Sequence, residues 1–221
     1  FPTRRSSDLY YMKYKDLRKE YMLHQMDPEL MNDSPFDQFR SWFDEAISVH
    51  ANEANAMVLS TVNLEGRPSS RYLLLKEISE RGFVFFTNYN SRKGLEMESN
   101  PFVCLVFYWR ELERQVRIEG KVEKIKTEES IEYFNSRPLG SRISAIASPQ
   151  SQRIISRKVL EDKIKFLNEH PELVTMPDHW GGFLVVPDRI EFWQGRESRL
   201  HDRISYTLNS EERWEKQILA P

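Results

Sequence analysis

Three basic or titratable side chains near the carboxyl end recur at every second position. Arg199, His201 and Arg203 follow Gly195, a glycine that interrupts the strand pattern before it. In an extended chain, side chains two positions apart lie on one face. Two unit charges about 4 Å apart interact by about 4 kcal/mol at an effective dielectric near 20, so such a row favours an anion bound among its members. The alternative is a solvent-facing strand whose charges are neutralised by water and neighbouring carboxylates.

Basic side chains at two other places are candidates for binding phosphate. Arg92 and Lys93 follow Ser91, the predicted cap of a short helix, whose N–H groups and dipole favour anions. The alternative there is a solvated basic turn. Arg71 and Lys76 lie five apart on one predicted strand and therefore face opposite sides. A shared site needs a bulge, a strong twist or two ligands side by side; otherwise Arg71 pairs with a surface carboxylate.

A third candidate lies where a helix is predicted to end. Tyr133 and Arg137 are neighbours at i and i+4 before Pro138, and Ser141 follows in the predicted turn. A phenol, a guanidinium and a hydroxyl that converge at a helix end hold a phosphate at three points. The alternative is a structural role, in which Tyr133 packs and Arg137 caps carbonyl groups. Gln115 lies on the polar face of an alternating strand, a pattern that alone assigns it no role.

Other features of the sequence exclude several kinds of site. It contains no G-x-G-x-x-G or P-loop, so Arg and Lys side chains must hold any phosphate directly. The five histidines have no partner two or four positions away and no cysteine cluster joins them, so no metal site is expected. The net charge of −2, with basic residues spread along the chain, gives no general support for binding nucleic acid.

The sequence also bears on the protein's compartment. The single Cys104 lies in an apolar run, which favours a small buried side chain and a reducing, cytoplasmic setting. The apolar runs are far shorter than the roughly 20 residues needed to cross a bilayer, and no secretory signal is recognised. No membrane partner is therefore expected.

The elements that must position these side chains follow from periodicity and from turn and cap residues. Helices are predicted at 10–26, from Ser34 as N-cap and Pro35 onward, at 91–99, from Thr127 to Pro138 and at 156–170. Strands are predicted at 56–62, 68–75, 83–87, 102–109, 115–125, 182–186, 189–193, 203–208 and 214–219, with a hairpin turn at 63–66. Mostly sequential strands with helices favour a closed antiparallel barrel formed by one domain over 10–221. Residues 1–9 are interpreted as a foreign leader, with a natural disordered arm as the alternative.

Several segments together resemble the pyridoxine/pyridoxamine 5'-phosphate oxidase family, in order and with family-like spacing from about Leu17 to the last residue. They are 71–76 (RYLLLK), 86–88 (FTN) with 91–93 (SRK), 112–115 (LERQ), 133–138 (YFNSRP), 148–151 (SPQS), 180–183 (WGGF), 190–195 (IEFWQG), 199–203 (RLHDR) and 219–221 (LAP). A match spread over this many segments is far more specific than any single motif.

The resemblance implies an α+β, mainly β fold: an FMN-binding split barrel of mostly antiparallel strands with flanking helices. It implies a homodimer with active sites at the subunit interface. The implied reaction oxidises pyridoxamine or pyridoxine 5'-phosphate to pyridoxal 5'-phosphate, with hydride passing to FMN and O2 then giving hydrogen peroxide. Two ligands, each with a phosphate of up to about −2 charge, account for cations on both faces of strand 71–76.

Site residues carry over by position. The residues implied to contact FMN are Arg71, Tyr72, Leu73, Leu74, Leu75, Lys76, Phe86, Thr87, Arg92, Lys93, Gln115, Gln150, Ser151, Trp193 and Arg203. Those implied to contact the substrate are Arg18, Lys19, Glu20 and Tyr21 in a closing segment, Lys76, Tyr133, Arg137 and Ser141 at its phosphate, and Arg199, Leu200 and His201 at its ring. Arg199 and His201 are the implied catalytic pair: Arg199 positions and polarises the substrate, while His201 orients it or handles a proton.

Two positions depart from the family pattern. Lys19 stands where Arg is frequent, which keeps the charge but loses the bidentate fork. Phe86 stands where Tyr is common, so any role of a phenol there is lost. The alternatives in function are another split-barrel flavin enzyme, such as an NAD(P)H-dependent flavin reductase, and a non-catalytic carrier of flavin or B6 phosphate.

Overall fold

The chain enters the fold through an extended segment rather than the predicted helix. The computed structural model describes residues 20–49, 51 and 53–221, so the interpretation of 1–9 and most of the predicted helix at 10–26 lie outside it. Residues 20–26 are not helical. The amides of Met22 and Leu23 donate to the Glu113 carboxylate, and that of Met26 donates to Asp202. The helix prediction is wrong there because distant carboxylates, and not a helical ladder, satisfy these amides.

Helix α1, Pro35–Ser48, begins as predicted. The Ser34 hydroxyl accepts the Asp37 amide at 3.3 Å, and proline occupies the first turn, where its missing N–H costs nothing. The helix buries Phe39 completely, with its ring 5.0 Å from those of Phe83 and Phe107. This apolar stripe fixes α1 on the main core.

Nine strands are described, and all of their pairings are antiparallel. They are β1 (Ala56–Val62), β2 (Pro68–Leu74), β3 (Glu77–Ser79), β4 (Gly82–Asn88), β5 (Phe102–Trp109), β6 (Arg114–Lys124), β7 (Trp180–Gln194), β8 (Asp202–Leu208) and β9 (Trp214–Leu219). The sheet runs in the order β2-β1-β5-β6-β7-β4-β3, with β8 on β7 and β9 on β8. The predicted hairpin turn at 63–66 is confirmed, with Gly66 at φ 77°.

The two end strands of this order are consecutive in the chain. Only Leu75 and Lys76 separate β2 from β3. The Leu75 amide donates to Asn55, which extends the β1–β2 ladder, whereas the Lys76 amide donates to Val84 on β4. The sheet therefore curls into the predicted split barrel, with its seam at these two residues.

Strand β7 is one element where two were predicted. Pro187 has no amide proton, and the sequence around it suggested a break. In the structure Gly120 pairs with Pro187 and Glu119 with Arg189, so Asp188 is an extra residue in the ladder. A bulge absorbs the proline, and the strand continues through Gln194.

The remaining helices are α2 (Arg92–Ser99), α3 (Thr127–Ser136), α4 (Leu139–Ala147) and α5 (Arg157–Glu169). Helix α4 was not predicted, and Ser141 lies in its first turn and not in a free turn. Pro138 ends one helix and directly precedes the next, because proline stops a ladder yet suits the start of a new one.

No helix in the described part of the chain is long and apolar enough to span a bilayer. Cys104 is half-buried and not fully buried as predicted, and burial raises the pKa of its thiol to about 11.

Candidate active site

A group of polar and cationic side chains meets at the start of α2. Lys93 Nζ donates to Gln150 Oε1 at 2.8 Å and to Ser91 Oγ at 3.1 Å, while Thr87 Oγ1 lies 3.4 Å from the same Gln150 oxygen. Lys93 is only 5% exposed, so the alternative of a solvated basic turn is wrong for it. Burial, and to a smaller extent the charge of Arg71, lowers the pKa of Lys93 to about 8.

Arg71 reaches this group from β2. Its Nη1 donates to Thr61 Oγ1 at 2.7 Å, and its Nη2 donates to Ser69 Oγ at 2.5 Å and lies 3.4 Å from Glu96. Arg92 Nε donates to the other Glu96 oxygen at 2.8 Å. The carboxylate partner of Arg71 is thus buried and not at the surface, contrary to the alternative raised from the sequence. We call Arg71, Thr87, Arg92, Lys93 and Gln150 the cation cluster.

Lys76 lies elsewhere, beyond the end of β2 at the seam of the barrel, so strand parity with Arg71 does not apply to it. It lines a cavity of about 480 Å³ with Phe86 and Tyr133. The rings of Phe86 and Tyr133 stack at 3.9 Å, and the nearly parallel ring of Trp180 lies 5.4 Å from Phe86 and 6.3 Å from Tyr133. Since Phe86 contributes an aromatic face here, the structure gives it a packing role that needs no phenol.

Arg137 lies beside this aromatic stack. Its guanidinium is 4.8 Å from the centre of the Trp180 ring, a cation–π contact. Its Nη1 is buried without a hydrogen-bond partner among the described residues, and burial lowers the pKa of the group. A buried N–H with no partner costs free energy, and an incoming acceptor would remove that cost. Ser141 is half-buried one helix turn further on.

A third group forms at the opposite end of β7. The rings of Trp193 and His201 are 4.7 Å apart, and Tyr21 contacts both at 5.7 and 5.9 Å. His201 Nδ1 accepts the Arg196 amide at 3.0 Å, so in the neutral ring the proton is on Nε2, free to be donated. Burial, aided by the charge of Arg199, lowers the pKa of His201 and favours the neutral ring.

The predicted row of Arg199, His201 and Arg203 on one strand face is wrong. Residues Glu197–Arg199 form a short 3-10 turn, with Ser198 at φ 55° and Arg199 at φ 63°. Strand β8 starts only at Asp202, so Arg203 alone lies on it. Two successive left-handed residues without glycine carry no local signal that sequence analysis recognises.

Arg203 is instead held by a buried carboxylate. Glu191, 4% exposed, accepts Arg203 Nε at 2.9 Å and Nη2 at 3.2 Å, and it accepts Arg117 Nη2 at 2.6 Å. Trp193 pairs in register with Arg203 on one side and Gln115 on the other, which puts these three in one row. Neither Glu191 nor Glu96 was predicted from the sequence as a site residue. Glu96 had a signal, its i+4 spacing from Arg92.

The remaining predicted residues are distributed as follows. Arg18 and Lys19 lie outside the described residues, and Glu20, Arg199 and Leu200 are exposed. On and just after β2, Tyr72 and Leu74 point outward, whereas Leu73 and Leu75 point inward. Ser151 follows Gln150 and has a φ of 69°. Tyr72 is 79% exposed.

The predicted residues thus form two half-sites. The first contains the cation cluster with Lys76, Phe86, Tyr133 and Arg137, and the second contains Gln115, Trp193, His201 and Arg203. Phe86 pairs with Gly182, and Trp193 lies eleven residues further along the same strand, roughly 35 Å of extended chain. The two half-sites therefore lie towards opposite ends of β7 in one chain.

Replacing Gly195 by alanine tests the docking of Tyr21. A Cβ on Gly195 would lie 2.6 Å from Tyr21 Cγ, well inside contact distance. We expect Gly195→Ala to displace the segment and speed hydrogen exchange at the Met22 and Leu23 amides about tenfold, because their bonds to Glu113 would open more often. The control is Gly140→Ala, where nothing lies within 4 Å. Unchanged exchange in the Gly195 variant would contradict the observed docking.

Comparison with known proteins matches both parts of the chain. Residues 43–170 match the family profile described as pyridoxamine 5'-phosphate oxidase, and residues 180–221 match that of the pyridoxine 5'-phosphate oxidase C-terminal dimerisation region. A Leptospira interrogans protein named pyridoxine/pyridoxamine 5'-phosphate oxidase is 52% identical over 211 residues, covering 95% of this chain and 99% of its own. A Trichormus variabilis protein of the same name is 51% identical, covering 93% and 97%.

Solved structures share the fold. PhzG from Burkholderia lata 383, in complex with tetrahydrophenazine-1-carboxylic acid, has a TM-score of 0.87 at 26% identity and covers 92% of this chain and 100% of that one. A pyridoxamine 5'-phosphate oxidase-related, FMN-binding protein from Nostoc punctiforme has a TM-score of 0.68 at 18% identity, covering 86% and 100%. With two matching profiles and relatives identical at half of their positions along nearly the whole chain, this protein belongs to the pyridoxine/pyridoxamine 5'-phosphate oxidase family.

Proposed function

We propose that this protein oxidises pyridoxamine or pyridoxine 5'-phosphate to pyridoxal 5'-phosphate with FMN as cofactor. The observation that carries the proposal is the pair of separate anion-ready groups in the first half-site. Lys93 is cationic and buried at the start of α2, and Arg137 has an unpartnered N–H beside Tyr133. Two phosphate-bearing ligands side by side would use both.

The cation cluster fits the phosphate of FMN. Arg71, Arg92 and Lys93 offset a charge of up to about −2, and the first N–H groups of α2 add donors. Gln115, Trp193 and Arg203 would complete the flavin site from the second half-site. When bound, FMN supplies the hydride acceptor and passes the electrons to O2, which yields hydrogen peroxide.

The substrate would bind beside the flavin with its phosphate on Lys76, Tyr133, Arg137 and Ser141. Burial in an aromatic surround strengthens the interaction of Arg137 with a phosphate. His201, with its proton on Nε2, would donate a hydrogen bond to the ring or its substituent, and the exposed Arg199 would close over it.

A homodimer would join the half-sites of two chains. The matched dimerisation region, residues 180–221, contains the whole of β7 and β8 and hence Trp193, His201 and Arg203. The outward face of the sheet exposes Tyr72, Tyr108 and Phe102, which a partner subunit would cover. Each active site would then take its first half-site from one subunit and its second from the other.

The reaction is tested by the visible spectrum of the purified protein. We expect a yellow flavin spectrum that pyridoxamine 5'-phosphate bleaches without oxygen and that air restores, with pyridoxal 5'-phosphate as product. Bleaching by NAD(P)H alone would indicate a flavin reductase, and no bleaching a carrier. Tetrahydrophenazine-1-carboxylic acid, the ligand of the Burkholderia structure, should be a poor substrate because it has no phosphate for Lys76 and Arg137. The absence of pyridoxal 5'-phosphate with FMN present would overturn the proposal.

Lys93 should make FMN binding depend on pH. With a pKa of about 8, Lys93 is cationic below that pH and neutral above it, while the phosphate is a dianion from about pH 7 upward. FMN affinity should therefore fall as pH rises through about 8, by up to tenfold per pH unit. Fluorescence titration of the apoprotein between pH 6.5 and 9.5 measures this, with riboflavin as the phosphate-free control. A flat FMN profile in this range would contradict the role of Lys93, and Lys93→Arg should flatten it.

A further inference from the structure

A buried carboxylate lies beside the cation cluster, where we propose that the FMN phosphate binds. Glu96, on the second turn of α2, is 6% exposed. Its Oε1 accepts Arg92 Nε at 2.8 Å, and its Oε2 accepts the hydroxyls of Thr61 and Ser69 at 2.5 and 2.6 Å. A buried negative charge beside an anion site repels the ligand, so its presence needs a compensating role.

The contacts of Glu96 join side chains from three elements, α2, β1 and β2. Arg92 comes from α2 and is largely exposed, whereas Arg71 comes from β2. Arg71 donates to the same Thr61 and Ser69 hydroxyls that donate to Glu96, and its Nη2 lies 3.4 Å from the carboxylate. Arginine side chains have many rotamers, and a carboxylate that accepts from both restricts them before a ligand arrives.

The Glu96 carboxylate is ionised at neutral pH. Burial alone would raise its pKa, but the hydrogen bonds from Ser69, Thr61 and Arg92 and the charge of Arg92 lower that pKa to about 2. Below about pH 8 the cation cluster together with Glu96 has three cations and one carboxylate, a net charge of about +2, which matches a phosphate of up to about −2.

We propose that Glu96 is a positioning residue for the flavin phosphate: it holds the guanidinium groups of Arg71 and Arg92 in place and balances the charge of the cluster. The inference rests on the proposed role of the cluster in FMN binding. It concerns the phosphate alone, because the described hydrogen bonds and ion pairs of the Glu96 carboxylate are to Arg71 and Arg92 of the cation cluster and to the neighbouring hydroxyls of Thr61 and Ser69.

The test compares Glu96→Gln with the wild-type protein for two ligands, FMN and riboflavin, by fluorescence titration of the apoprotein. The variant keeps the shape of the side chain and raises the net charge of the cluster, so electrostatics alone would tighten FMN binding. Loss of positioning weakens it instead. We expect FMN affinity to fall about tenfold and riboflavin affinity to change less than about twofold.

Glu98→Gln is the matched control. It makes the same change of charge on the same helix, at an exposed position two residues away. It should leave both affinities unchanged. An equal effect of Glu98→Gln would show that net charge and not position is responsible, and would overturn the inference.

The other outcomes are equally distinct. Tighter FMN binding in Glu96→Gln, no change, or equal weakening of FMN and riboflavin would each overturn the positioning role. If Glu96→Gln does not fold, Ser69→Ala is the second variant, because it removes the hydroxyl that contacts both Glu96 and Arg71. It should weaken the binding of FMN but not of riboflavin, by less than Glu96→Gln would. An unchanged FMN affinity in Ser69→Ala would also overturn the positioning role. A wild-type protein that binds FMN no better than riboflavin would refute the FMN proposal itself, whatever Glu96 does.

Discussion

Two variants that are each nearly inactive should restore activity when their subunits exchange. Arg137→Ala impairs the first half-site. Arg199→Ala removes the arginine two residues before His201, which we propose acts together with the second half-site. Each substitution should lower kcat/KM about 100-fold. In a mixed dimer one composite site carries both substitutions and the other carries neither. After random exchange half of the dimers are mixed, so the mixture should recover about a quarter of the wild-type activity.

The control for this complementation is a mixture of two variants from the same half-site. Arg137→Ala with Tyr133→Ala leaves every site damaged, so activity should stay near that of the separate variants. Activity is measured after brief dilution and reconcentration to exchange subunits. No recovery in the Arg137 and Arg199 mixture, with exchange verified by a mass tag, would mean that each chain builds its own site.

Separate substitutions should distinguish the two phosphates. Arg137→Ala should raise KM for pyridoxamine 5'-phosphate about 100-fold with FMN still bound, because a buried charge-assisted bond to phosphate is lost. Arg92→Ala should weaken the binding of FMN instead, because Arg92 belongs to the cation cluster, where its Nε donates to Glu96. Steady-state kinetics at saturating FMN and FMN titration of the apoprotein measure the two effects.

Phosphate-free pyridoxamine supplies the control for Arg137→Ala. Its low rate of oxidation should be nearly the same in the wild type and the variant, because it makes no contact with Arg137. Two variants that alter KM and FMN affinity alike would show that the partition of the phosphates between the two groups is wrong.

Most strands and helices could be predicted because their signals are local. Ser34 and Pro35 mark the start of α1 through capping and a fixed φ, and Gly66 allows the left-handed turn between β1 and β2. The segment 20–26 was mispredicted because its amides bond to Glu113 and Asp202, which are distant in sequence. Long-range partners of this kind leave no periodic pattern.

The candidate site also divides into residues with local sequence signals and residues whose role depends on long-range contacts. The basic residues were found because charge at a helix start or at i and i+4 spacing has a local meaning. Glu191 was missed because its importance comes from burial against arginines on other strands, a property of the folded chain. Glu96 has a local partner in Arg92, but its burial against Arg71 of β2 is likewise a property of the fold. The row predicted at Arg199 failed where two residues adopt positive φ without glycine.

Strand β7 also has a consequence for biosynthesis. It is the common neighbour of β4, β6 and β8, and Phe83 finds its partner Val185 only after most of the chain has been made. Contacts so far apart in sequence close slowly. Until residue 194 has left the ribosome, β4 and β6 present open hydrogen-bonding edges beside aromatic side chains, the kind of surface that pairs with other nascent chains. Aggregation during synthesis should therefore be greatest just before β7 is complete.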